Sequence, residues 1–210
     1  MKKISQGLSL VVLLFAGGVP AHAQSIYEFD ATKSRLEMDV YKEGFFQAFG
    51  HDHLMAAREF SGRVLFDADK IGNSSVTLRV TARSIMVADP GESEKDRGSV
   101  QATMLGKKVL DVARFPEIVF TSTGVMKGET QVEGGSMTLT GILQLHGIEK
   151  SMSLPVIVRV RGDELIAKGE VFLRQTDYGI TPVKIGGGAV KVKDRLRIRF
   201  EIHARIRTRL

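Results

Sequence analysis

Apolar and polar residues alternate along most of this chain. From Arg35 to Val40, Leu36, Met38 and Val40 fall on one side of an extended backbone, and Arg35, Glu37 and Asp39 on the other. Val76, Leu78, Val80 and Ala82 oppose Thr77, Arg79, Thr81 and Arg83 in the same way. Met137, Leu139, Leu143 and Leu145 oppose Thr138, Thr140, Gln144 and His146. The clearest run closes the chain: Leu196, Ile198, Phe200, Ile202, Ala204 and Ile206 alternate with Arg195, Arg197, Arg199, Glu201, His203, Arg205 and Arg207. A period of two is that of a β-strand, whose side chains point to opposite faces in turn. Strict alternation marks antiparallel strands with one dry and one wet face. About eight such runs, separated by Gly, Asn, Asp and Lys, predict a barrel or sandwich.

One segment breaks the period. From Glu92 to Asp111 the acids come early and Lys107 and Lys108 late, the order a helix dipole favours. Gly98 and Gly106 weaken a continuous helix, so one helix and two short ones both fit. Met104, Leu105 and Leu110 form its apolar side, whether it packs on a core or lies as a lid over a barrel mouth. Pro116 ends the helical segment, presents Phe115 to the core and returns the chain to an extended run. Gly186, Gly187 and Gly188 read as a hairpin loop before the last strand. No linker or repeat interrupts the pattern, so residues 24–210 read as one all-β domain with a small helical insertion.

The first residues do not belong to that domain. Lys2 and Lys3 precede an apolar run from Leu8 to Ala16, and Ala21-His22-Ala23 offers a small-x-small cleavage site. This predicts a signal peptide over residues 1–23 and export, in a bacterium to the periplasm. The apolar run is shorter than the roughly 20 residues a membrane span needs. The chain has no cysteine, which removes disulfides, thiolate metal sites and a Cys nucleophile. Its formal charge of +6 falls to about +4 once Lys2 and Lys3 are removed. That charge, in an exported protein, argues against a nucleic-acid partner.

Several stretches together resemble a known family. "YEFDATKSRLEMDVY", "SGRVLFD", "VLDVARFPEIVFTSTGV", "LTGILQLHGIEKSMSLPV" and "RQTDYGI" occur in the order found in the YceI-like, polyisoprenoid-binding family, across essentially all of residues 24–210. The resemblance implies an eight-stranded antiparallel barrel similar to lipocalins, with an isoprenoid or other long-chain lipid in its lumen as carrier or store. It implies no cofactor beyond that lipid and no catalysis. The alternation by itself supports only a closed β-domain with a continuous apolar face, and a barrel of this size either fills with side chains or holds one ligand. "GHDH" and Lys95-Asp96-Arg97 depart from the commoner family pattern and leave the lipid's identity open. So is the choice between monomer and homodimer.

Candidate chemistry concentrates in "FFQAFGHDHL", where Phe45, Phe46 and Phe49 adjoin His51 and His53. On a strand His51 and His53 share a face. Zinc needs three or four protein ligands, so a metal would recruit His146, His203, Asp177 or Glu59. His203 alternates onto the outer face, which makes it a poor recruit. Ser61 is the nearest hydroxyl and no GxSxG elbow exists, so a catalytic triad has no anchor. The structural alternative has one His capping a turn and the other hydrogen-bonded to a carboxylate or the backbone. On the family resemblance, Phe45, Phe46, Phe49, His51, His53, Met104, Leu105, Phe115, Phe120, Leu139, Leu145 and Tyr178 line or frame the lipid site, with no catalytic or metal residue among them. Arg195, Arg197, Arg199, Arg205, Arg207 and Arg209 share one face of the last strand. They suit either contact with an anionic membrane or a solvated outer wall. A ligand-free structural or stress-related protein and a metal-linked accessory protein remain the alternative functions.

Overall fold

The alternating runs are strands. A computed structural model describes residues 24–43, 52–128, 135–185, 187 and 190–209. In chain order these are β1 (Gln24–Phe29), β2 (Arg35–Val40), β3 (Lys42–Glu43), β4 (His53–Ala57), β5 (Phe60–Asp67), β6 (Ser75–Thr81), β7 (Ile85–Val87), helix α1 (Glu94–Leu105), β8 (Glu117–Lys127), β9 (Gly135–Leu145), β10 (Ile148–Arg161), β11 (Glu164–Arg174), β12 (Lys184–Ile185), β13 (Val190–Val192) and β14 (Arg195–Arg209).

They close into an eight-stave antiparallel barrel, because β1 pairs with both β5 and β14. Three staves are broken strands. β1 and β2 occupy one position along β14, interrupted by the turn at Asp30: Phe29 faces Ala204 and Arg35 faces Glu201. β4 and β5 continue each other across Arg58 and Glu59, and β6 and β7 across a 3-10 turn at Ala82–Ser84. The other five staves are β8, β9, β10, β11 and β14. β12, β13 and β3 form a small separate sheet. β12 and β13 are the arms of a hairpin at the predicted glycine loop.

The break in alternation becomes one helix rather than two. Ser93 caps it, its hydroxyl accepting from Asp96 N at 3.1 Å, and Glu94 and Asp96 lie in the first turn. Gly98 is exposed with open space around it, so its cost of about 1 kcal/mol does not split the helix. Gly106 ends the helix, which leaves Lys107 and Lys108 beyond the last turn rather than within it.

α1 does more than fill space. Among the described residues β7 has no strand partner on its outer edge, and the side chain of Gln101 takes that place. Its side-chain oxygen accepts from Val87 N at 2.9 Å and its amide donates to Ile85 O at 2.7 Å. Met104 packs beneath with Met55, Phe60, Val80, Ile85 and Ile202, closing this end of the barrel. Leu145, Tyr178 and Ile180 form a second plug near it. Tyr27, Val64, Leu165 and Ala204 form a buried cluster toward the far end.

Candidate functional site

Between those clusters lies a cavity of about 150 Å3. Every stave contributes to its wall, from Phe29 and Leu36 through Leu78, Phe120 and Leu139 to Val171 and Phe200. Of the lining residues, Ser74 alone carries a polar side chain, and its hydroxyl accepts from Asp67 N at 3.0 Å. A space lined this way stays dry, because a water molecule there would find no partners. Inward-facing glycines make room for its aromatic wall. A Cβ on Gly141 would lie 2.5 Å from the Phe120 ring, one on Gly169 2.6 Å from Phe200, and one on Gly62 2.4 Å from Phe29. Glycine inside a strand pattern is the signature of such close approach.

A polar cluster sits apart, at the start of β4. His53 Nδ1 lies 2.6 Å from Asp89 Oδ2 and 3.7 Å from Glu92 Oε2. The other Asp89 oxygen accepts from Leu54 N, and Ala88 N donates to Leu54 O at 2.7 Å. Asp89 therefore extends the β4–β7 ladder past the end of β7. Arg97 of α1 donates to the carbonyls of Asp89 and Glu92 at 3.2 and 3.4 Å. The ligand atoms of His53, Asp89 and Glu92 fall within 4.8 Å of one another, a donor set that a divalent cation could also draw together. Its present geometry is that of a clamp: a 2.6 Å nitrogen–oxygen separation is a hydrogen bond.

At the plugged end, His146 holds a left-handed backbone conformation (φ 52°) and its Nδ1 lies 3.1 Å from Tyr178 O. Phe115 meets the His146 ring edge-on with centroids 4.7 Å apart. Burial pushes the Tyr178 hydroxyl above its ordinary pKa, and Asp177 adds to this.

Residues 27–204 match the YceI-like domain. The chain belongs to the YceI-like family. Protein YceI of Salmonella arizonae is 26% identical over 189 residues, covering 86% of this chain and 88% of that one. Among solved structures, Burkholderia cenocepacia BcnA superposes with a TM-score of 0.65 at 20% identity, over 83% of this chain and 98% of that one. A polyisoprenoid binding domain from Saccharophagus degradans, implicated in plant cell wall breakdown, gives 0.60 at 13% identity, over 86% and 98%. At such identities the two structures establish a shared fold.

The YceI-like barrel distributes the residues singled out in the sequence among several places. Phe120 and Leu139 line the cavity. Met104 and Leu105 pack in the cluster closed by α1, and Leu145 and Tyr178 in the neighbouring plug, with Phe115 against His146. Phe45, Phe46, Phe49 and His51, and residues 1–23, over which a signal peptide is expected, lie outside the described residues. His53 is joined by Asp89 and Glu92, which the sequence reading did not select. The candidates it did name sit elsewhere: His203 contacts Glu201 at 3.1 Å on the outer wall, and His146 sits by Tyr178. Only the β4–β7 register brings Asp89 to His53, across 36 residues of chain.

The arginines of β14 are paired on the outer wall. Arg199 makes a two-pronged contact with Asp39, both bonds 2.9 Å. Arg197 meets Glu170, Arg205 Glu164, Arg207 Glu28 and Arg209 Asp163. Arg195 stacks 3.9 Å over the ring of Phe172.

Proposed function

We propose that this protein binds one long-chain lipid, an isoprenoid or isoprenoid quinone, with the hydrocarbon chain in the barrel and no chemical transformation. In this reading it is exported through residues 1–23 and serves as a periplasmic carrier or store. The observation that carries the proposal is the cavity wall, apolar from every stave and interrupted only by a hydrogen-bonded Ser74. Among its lining residues there is no acid, base or charged group to act on a substrate. The name of the Saccharophagus degradans neighbour supports the ligand class. Affinity would come from buried chain, at about 25 cal/mol for each Å2 of apolar surface removed from water. A cavity of 150 Å3 admits about one ring-sized group. A longer chain must therefore displace wall side chains or part the wall.

The test is organic extraction and mass spectrometry of protein purified without detergent from its native host, alongside Phe120→Arg. The expected result is one lipid per wild-type protein. The variant should lose it at least a hundredfold while keeping the strand signature of its circular dichroism, since an arginine in a dry wall costs several kcal/mol. A wild-type protein that is empty and takes up no added prenyl lipid overturns the reading. So does a folded Phe120→Arg protein that keeps its lipid.

A further inference from the structure

β10 and β11 form a hairpin that pairs along only part of its length. The ladder runs from Arg161 opposite Glu164 to Val156 opposite Gly169, and there it stops. Both strands continue. β10 runs back to Ile148 paired throughout with β9, and β11 runs on to Arg174 paired with β14. Residues 148–155 and 170–174 thus face each other across a seam with no ladder between them, roughly 25 Å long on the β10 side.

The sequence explains where the seam begins. Pro155 has no N–H to donate and is tolerated in a strand only where one edge is open. Gly169 fits tightly beside it, since a Cβ there would lie 2.5 Å from Pro155 O. At the other end the turn after β11 closes the gap, with Ile148 Cδ1 3.1 Å from where a Cβ on Gly179 would stand. The seam is bounded at both ends and opens onto the lumen: Met152 and Leu154 on one side, and Val171 and Leu173 on the other, all line the cavity. Outside, exposed apolar side chains lie beside it, Phe172 on β11 at 43% and Ile142 on β9, opposite Ser151, at 38% of their full accessible surface. Arg195 lies over Phe172, so a cation stands beside this greasy rim. A second unladdered edge, at β7, is held by Gln101.

We propose that the seam between β10 and β11 is the lateral portal through which a lipid chain enters and leaves the lumen. The proposal rests on the lipid-binding reading and adds the route and the surface that meets the donor membrane. Parting most other staves would break backbone hydrogen bonds. Parting these two displaces only side chains, and the vacated edge faces the apolar chain as it threads in. The rim pairs apolar contact with a cation, the chemistry of a lipid with an anionic or hydroxylated head at a membrane surface.

The absence of cysteine makes the test clean. Continuing the ladder register would set Ser151 opposite Arg174, and both are exposed. Ser151→Cys with Arg174→Cys, bridged by a reducible bis-maleimide, staples the seam. Arg159→Cys with Ile166→Cys, a true ladder pair, is the control staple. Uptake of a fluorescent geranylgeranyl alcohol from phosphatidylcholine vesicles is then followed in time. Stapling the seam should slow uptake at least tenfold, reduction of the linker should restore it, and the control staple should change nothing. Protein loaded before stapling should keep its lipid. Normal uptake through a stapled seam overturns the portal and leaves the lipid-binding reading standing. No uptake before stapling overturns both.

Discussion

Asp89 holds two donors at once, the imidazole of His53 and the backbone N–H of Leu54, while Glu92 lies 3.7 Å from the same imidazole nitrogen. Replacing His53 with Ala leaves two largely buried carboxylates beside each other and removes a hydrogen bond to a charged group. Such bonds contribute about 1.5–3 kcal/mol. His53→Ala should therefore lower stability by about 2 kcal/mol in urea unfolding, with lipid content unchanged because the cluster lies outside the cavity wall. A ten-fold excess of zinc should leave the wild-type midpoint where it was, and a rise would assign the cluster to metal binding instead. Residues of this kind are the least legible in sequence. His53 attracts attention because it stands in a short motif with another histidine. Asp89 and Glu92 come from "ADPGESE", an unremarkable acidic turn until β4 and β7 are aligned. The cavity residue Leu139 was easier to find, because alternation alone assigns it to the dry face, and Phe120 came with the family resemblance.

The elements themselves followed from periodicity wherever a strand had one dry face, and β14 is the plainest case. What periodicity could not give was where staves break. The interruptions at Asp30, at Arg58 and Glu59, and at Ala82–Ser84 preserve the two-residue alternation on either side, and only pairing with β14, β2 and β5 shows each as one stave. Two local signals do mark such irregularity: Pro155 inside an otherwise regular strand, and the isolated glycines at 62, 141 and 169 against phenylalanine rings. α1 was legible as a helix, but its task was not. Gln101→Leu keeps size and helix propensity while leaving Val87 N and Ile85 O without a partner. Each such buried group costs about 1–3 kcal/mol. The variant should lose about 2–4 kcal/mol of stability, and the Val87 amide should become one of the faster-exchanging amides of the β4–β7 region in hydrogen exchange. If that amide stays protected, another group covers the edge and α1 is only a plug.

Across the whole molecule, carboxylates fasten the breaks and turns of the chain and brace the outer wall of β14. The Thr32 hydroxyl and N–H hold Asp30 below its ordinary value of 3.8 in the β1–β2 break. The Lys70 N–H does the same for Asp67 after β5, with Gln24, Asn73 and the Asp69 N–H adding to it. At Asp194, before β14, burial pushes upward but the N–H and hydroxyl of Thr176 outweigh it. Lys168 and then His203 lower Glu201 on β14. A carboxylate with a lowered pKa stabilises the fold fully above the unfolded value and stops doing so as pH falls through the folded one. The barrel should hold a level stability from neutral pH down to about 5, then lose it steeply below 4, with all four groups acting in the same direction. Asp67 is the sharpest test, since its side chain is fully enclosed by its donors. Asp67→Asn removes the charge those donors surround, so its urea midpoint should lie below wild type at pH 7. The gap should narrow as pH falls below the unfolded value of 3.8 and close once the folded carboxylate has taken up its proton. A gap that stays constant with pH would mean that shape, not charge, holds the β5–β6 turn.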